Sequence, residues 1–311
     1  MNIVTIPVKE GGALASTVWE RSDAKALVIV HPATAVSQDF YKGFAEYLYE
    51  MGFNVLTYDY RGTGHSTSGT LRKCHVSMSD WIEQDVGCVT AWAKLRFPHL
   101  LMMAVGHSVG GHAILLSTAT HSLHAGVIIA SHAGVTSTIK QTGEKLRVWF
   151  LLRVLAPVLC RIFGYMPARR LGLGEDLPAP VMDQWGRWSA MPNYFYDDPN
   201  WDARRRAGEI TLPLLVLGFD DDPWANPEAI TRLMEPVKNA QVERREIRHM
   251  DFGNQPIGHM GFFRSRYRET LWPEVGNWLM RQCLLEIFVE GIVMPVSPEE
   301  KKPVDESKGS A

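Results

Sequence analysis

Residues 101–119 read LMMAVGHSVGGHAILLSTA. An apolar run, Leu101–Val105, stops at Gly106-His107-Ser108-Val109-Gly110-Gly111, and a small-residue segment able to form a helix follows. The parse is strand, sharp turn, helix, with Ser108 at the point of the turn. Gly106 and Gly110 bracket that serine in the G-x-S-x-G spacing, which lets the backbone bend tightly and present the hydroxyl. A side chain two residues to either side would be crowded by such a bend, so glycine is the cheapest occupant. The N–H groups opening the next helix have no intrahelical partner and point back at the serine, where a developing oxyanion would need them.

Outward from this turn, the pattern repeats. Ile3–Pro7 and Ala13–Trp19 read as a hairpin about Gly11-Gly12, and Ala24–His31, Phe53–Tyr58, Leu101–Val105 and Ala125–Ala130 as further strands. Helical spacing appears at Phe40–Met51, stopped by Gly52, and at Ser79–Leu95, capped by Asp80 or Ser79. Continuous apolar strands alternating with helices predict a parallel sheet covered on both faces. That rhythm lapses over 134–208, a tryptophan- and proline-containing stretch too long for a plain loop, and is expected to be a mostly helical lid insertion. Within it, Trp149–Phe163 is amphipathic enough for transient membrane contact, although Pro157 interrupts it and the lining of an apolar pocket is the preferred reading. The sheet resumes with Leu212–Gly218, the helix Pro227–Met234 and the strand Gln241–Ile247, and a last helix covers about Arg268–Ile287. The expected organisation is a core of 1–133 and 209–290, the insertion 134–208, and a flexible tail, 291–311.

Composition narrows the classes. The chain has 311 residues and a formal net charge of −2, so no basic field draws it to nucleic acid. Its four cysteines are scattered, which suits neither a zinc site nor a disulfide framework. With no signal-peptide pattern at the start and no apolar stretch of membrane-spanning length, a cytoplasmic protein is the expectation.

A serine hydroxyl needs a base, and the base an orienting carboxylate. After Ser108 come Asp220-Asp221-Asp222, just past a strand, and then His259 in a Gly-flanked loop before the last helix. Ser…Asp…His in that chain order brings all three to the carboxyl ends of parallel strands. Three adjacent aspartates cannot all face one histidine. Asp222 precedes Pro223 and suits holding its own turn, while Asp220 continues the strand, so Asp221 is the first choice and the other two remain open. His259 is preferred as base over His249, His31, His107 and His65. Val109 N–H is one expected oxyanion donor. Pro32 has no N–H, so the second falls to Ala33 or Thr34, with Ala33 favoured. Arg61-Gly62-Thr63-Gly64 lacks the spacing and the lysine of a nucleotide loop, and the histidines form no H-E-x-x-H, so neither cofactor nor metal is expected.

The set HPATAVSQDFY (31–41), DYRGTGHS (59–66), GHSVGG (106–111), GFDDDP (218–223) and GHMGFF (258–263) resembles α/β-hydrolases, closest to the serine aminopeptidase and monoglyceride-lipase-like branch. The similarity spans about residues 3–288. It implies a mostly parallel eight-stranded sheet, Ser108 as nucleophile, Asp221 as acid, His259 as base, and Ala33 with Val109 as oxyanion donors. His31-Pro32 replaces the family's usual His-Gly, which alters how the second donor is presented. The implied activity is cleavage of a carboxylic ester through an acyl-enzyme. Thioester or amide cleavage and acyl transfer are alternatives on the same triad, and a non-catalytic binding protein is the alternative of another class. The tryptophan and leucine content of 134–208 points to a small apolar or aromatic acyl substrate, with a homodimer also compatible.

Overall fold

The structure, a computed structural model, describes residues 1–9, 11–67, 69–253 and 255–292. Its eight main strands are β1 (Asn2–Pro7), β2 (Ala13–Trp19), β3 (Ala26–His31), β4 (Asn54–Tyr58), β5 (Leu101–His107), β6 (Ala125–Ile129), β7 (Leu214–Phe219) and β8 (Val242–Ile247). They pair in the order β1-β2-β4-β3-β5-β6-β7-β8, antiparallel at β1–β2 and β2–β4 and parallel thereafter. Every residue of β3 to β7 is buried, and most of them are apolar, as a sheet covered on both faces requires. β8 (VERREI) is the edge strand, and its outer residues are charged, which discourages pairing with another chain.

Helix α1 (Lys42–Glu50) follows a short 3₁₀ turn and ends before Gly52, whose φ of 103° suits glycine. The next helical run begins one residue earlier than its sequence suggests. Ser77, neither Ser79 nor Asp80, is the N-cap, and it shares a reciprocal capping box with Asp80. That run proceeds from Met78–Asp80 through a π-wound stretch, Trp81–Asp85, into α2 (Val86–Arg96).

Helix α3 (Val109–Leu116) is buried along its whole length beneath the sheet's centre, and Gly106, Gly110 and Gly111 let it seat there. A methyl group on Gly110 would overlap the His31 carbonyl, one on Gly106 the Gly110 backbone, and one on Gly111 the Ser131 side chain. Ser108 takes the strain, with φ 53° and ψ −113° in a region that costs a non-glycine residue about 1–3 kcal/mol. Burial of Ile114, Leu115 and Leu116, at about 1.5–3 kcal/mol for each side chain, offsets it.

Between β6 and β7 the chain is mostly helical. Helix α4 (Thr142–Phe150) passes through a π-wound segment, Leu151–Leu155, into α5 (Ala156–Phe163). Pro157 therefore does not break the run, because the wider winding just before it absorbs its missing N–H and its steric demand. A two-residue ribbon, Tyr165–Met166 with Leu177–Pro178, leads on to α6 (Ala179–Ala190) and α7 (Ala203–Gly208). Val148, Leu151 and Leu152 face inward to a cavity, whereas Leu146, Trp149, Phe150 and Ile162 are exposed. Among the described residues no helix is long and apolar enough to cross a membrane. After α8 (Pro227–Met234), helix α9 (Trp272–Ile292) closes the fold, and most of the expected tail, 293–311, lies outside the described residues.

The seating of α3 yields a stability test. Gly110→Ala is expected to lower unfolding free energy in urea by about 3 kcal/mol or more, because the clash is with backbone. Gly143→Ala, where nothing lies within 4 Å, should be neutral or raise it by about 0.5 kcal/mol.

Candidate active site

Ser108, Val109, Thr34 and His259 line one cavity of about 400 Å³ at the carboxyl ends of the central strands. Apolar side chains from the β6–β7 segment, among them Leu151, Leu152 and Trp185, form much of its wall. The backbone of Ser108 is anchored by its N–H, which donates to the Ile129 carbonyl at 3.0 Å.

The carboxylate facing His259 is Asp222, which corrects the expectation of Asp221. His259 Nδ1 lies 2.8 Å from Asp222 Oδ2, with Asp222 fully buried. Holding a turn and orienting a histidine proved compatible, because a carboxylate has two oxygens. Asp222 Oδ1 accepts the N–H groups of Trp224 (2.8 Å) and Ala225 (3.1 Å), leaving Oδ2 for the imidazole. Asp221 instead accepts the N–H groups of Ile257 and Gly258, each at 2.8 Å, and so fastens the loop that carries His259. Asp220 Oδ1 binds both the N–H and Nδ1 of His249 at 2.9 Å. Burial works to raise the Asp222 carboxyl, but the charge and hydrogen bond of His259 prevail and hold it below its ordinary value.

Asp220, Asp221 and His249 also bring ligand-type atoms within 4.8 Å of one another near the surface. The hydrogen bonds just described already account for that cluster.

Burial pushes His31, His107 and His112 down to about 3 and His132 to about 4, so all four are neutral near pH 7. The neutral His107 ring has a defined tautomer. Its Nε2 sits 2.9 Å from the His259 carbonyl and must donate to it, so Nδ1 accepts from Tyr41 Oη at 2.9 Å. Tyr41 Oη in turn accepts the Ala33 N–H at 2.8 Å. The expectation of Ala33 as second oxyanion donor is thereby corrected, since its only N–H is spent on Tyr41. Thr34 N–H and Val109 N–H have no partner among the described residues, and both residues border the cavity. Ala35, at φ 61°, closes the turn whose Val36 N–H returns to the Ala33 carbonyl, and this turn presents Thr34.

Sequence reasoning missed the Tyr41–His107 connection and the role of Trp224. The indole of Trp224 packs 4.9 Å from the His259 ring, and its Nε1 donates to Glu144 of α4 at 2.6 Å. The one legible signal was Asp222-Pro223-Trp224, a turn placing an aromatic next to the acid.

Residues 22–172 match the family model described as serine aminopeptidase, S33. No curated protein matches the chain in sequence. Solved structures share the fold at low identity. The Pyrococcus furiosus esterase Pf2001 is 16% identical with a TM-score of 0.60, over 90% of each chain. Est1E from Butyrivibrio proteoclasticus, solved with ferulic acid bound, is 17% identical with a TM-score of 0.60, over 90% of this chain and 99% of that one. A putative aryl esterase from Burkholderia cenocepacia is 15% identical with a TM-score of 0.57, over 91% and 100%.

The two acidic neighbours can be told apart by kinetics. Asp222→Asn should lower kcat on an activated ester by about 10³–10⁴-fold through loss of the oriented tautomer. Asp221→Asn should cost only about tenfold, through a looser His259 loop. Comparable losses in both would contradict this division of labour. The eight-stranded sheet and the strand-turn-helix about Ser108 give this chain the α/β-hydrolase fold, and residues 22–172 are similar to the serine aminopeptidase family model.

Proposed function

We propose that the chain hydrolyses small carboxylic esters with an apolar or aromatic part, through a covalent acyl ester on Ser108. One observation carries this reading: His259, which lines the same cavity as Ser108, is hydrogen-bonded at 2.8 Å to the buried Asp222 carboxylate behind it. With Nδ1–H donated to Asp222, His259 Nε2 holds a lone pair and can take the Ser108 proton. The oxygen of Ser108 then bonds to the ester carbonyl carbon, and the N–H groups of Val109 and Thr34 receive the oxyanion. His259 passes its proton to the departing alkoxide. A water, deprotonated by the same imidazole, cleaves the acyl–Ser108 ester and restores the hydroxyl. No cofactor enters these steps.

The same machinery is open to thioesters, amides or acyl transfer. The mostly apolar wall and the esterases among the structural neighbours favour esters. The helical segment between β6 and β7 acts as a lid in this reading, because α4 contributes Val148 to the cavity and Glu144 to Trp224.

A fluorophosphonate probe tests the proposal. Stoichiometric labelling at Ser108 is expected, abolished in Ser108→Ala and slowed by about 10³-fold or more in His259→Ala. Folded wild-type protein that resists such probes, or takes label on another residue, would refute it.

A further inference from the structure

The helical run from Thr142 to Phe163 has two apolar faces, and only one of them meets the cavity. Val148, Leu151 and Leu152 line the cavity. Leu146, Trp149, Phe150, Val154, Val158 and Ile162 are all exposed, from 37% at Val154 to 63% at Leu146. Five of these six fall four residues apart, at 146, 150, 154, 158 and 162. Around a regular α-helix that spacing drifts by about 40° per step. The wider winding of Leu151–Leu155 takes up the drift in the middle of the run, so Val158 and Ile162 stay in line with Leu146 and Phe150. The result is an apolar stripe roughly 20–25 Å long. Single exposed apolar residues are ordinary, whereas a continuous stripe rimmed by polar groups marks an interaction surface.

The charge around this stripe is one-sided. Residues 140–163 carry five basic side chains and a single acid, Glu144, in a chain whose net charge is −2. Glu144 is occupied by Trp224 and by Arg147. Lys145, Arg153 and Arg161 are exposed and enter no salt bridge among the described residues. Arg72 and Arg170 continue the basic border at the far end of the run. Arg72 Nη2 donates to the Ile162 carbonyl at 3.3 Å, and the Arg170 guanidinium lies 5.9 Å from the centre of the Phe163 ring.

We propose that this outer face docks the protein on a bilayer containing anionic phospholipid. Trp149, Phe150 and the aliphatic side chains enter the boundary between headgroups and acyl chains, and the unpaired guanidiniums meet lipid phosphates. Long arginine stems let the charged heads reach those phosphates while the methylenes stay among apolar neighbours. A second copy of the chain suits the face less well. A two-fold contact would set Arg153 and Arg161 of both copies together on a surface with no free carboxylate to pair them. The proposal goes beyond the hydrolase reading and does not depend on it.

Co-sedimentation of the full chain with vesicles is the test, comparing phosphatidylcholine alone with phosphatidylcholine containing about one-third phosphatidylglycerol. Partitioning should be at least about tenfold stronger onto the anionic vesicles and should weaken with added salt. Trp149→Ala combined with Phe150→Ala should lower it about tenfold or more. Arg153→Glu combined with Arg161→Glu should abolish the preference for anionic lipid. All four positions are exposed, so both double variants are expected to melt like wild type, and if one misfolds the other decides. Failure to bind anionic vesicles, equal binding to both vesicle types, or wild-type binding by either folded variant overturns the proposal. So does a concentration-dependent dimer in sedimentation velocity that the Trp149→Ala, Phe150→Ala pair converts to monomer, because a second copy would then cover the face. Binding is read without turnover. Normal fluorophosphonate labelling with no vesicle binding therefore counts against docking alone, and vesicle binding without labelling counts against the hydrolase reading alone.

Discussion

Close seating of α3 on the strand ends is the constraint from which the rest of the site follows. Three glycines remove the side chains that would hold the helix away, and Ser108 accepts an unfavourable backbone conformation in return. The helix then presents the Val109 N–H toward the cavity with no partner among the described residues, as the proposed oxyanion role requires. Because α3 is buried throughout, the strain at one residue is small beside the packing that enforces it.

Hydrogen bonds around this bend connect chain segments that are distant in sequence. Ala33 donates to Tyr41, Tyr41 to His107, and His107 to the carbonyl of His259, so the turn after β3 and the histidine loop are tied through the residue next to the nucleophile. Burial keeps the His107 ring neutral, and neutrality lets it accept on one side while donating on the other. Asp221 secures the same loop from below through two amide N–H groups. The imidazole of His259 is thus placed by its backbone as well as by Asp222, consistent with a site built on rigid elements.

Most of the scaffold was legible because its signals are local. Unbroken apolar runs marked the buried strands, Gly52 marked a helix end, and the G-x-S-x-G spacing marked the bend. What escaped depended on contacts made elsewhere in the chain. Choosing Asp221 assumed that a carboxylate holding its own turn has nothing left to offer, whereas Asp222 divides its two oxygens between the turn and the imidazole. Ala33 looked like an oxyanion donor until Tyr41, eight residues on, took its N–H. Ser77 was passed over as a cap although Asp80 completes a recognisable box with it. Tyr194 at positive φ has no sequence signature at all, since its position depends on Gly134 some sixty residues earlier.

Rapid-quench mass spectrometry of the full chain with p-nitrophenyl butanoate tests the covalent role of Ser108 most directly. A burst of p-nitrophenol should coincide with a mass increase equal to one butanoyl group, mapped to the peptide containing Ser108, and both should vanish in Ser108→Ala. An adduct on a different residue, or turnover that persists at the wild-type rate in Ser108→Ala, would contradict a nucleophile held at this bend.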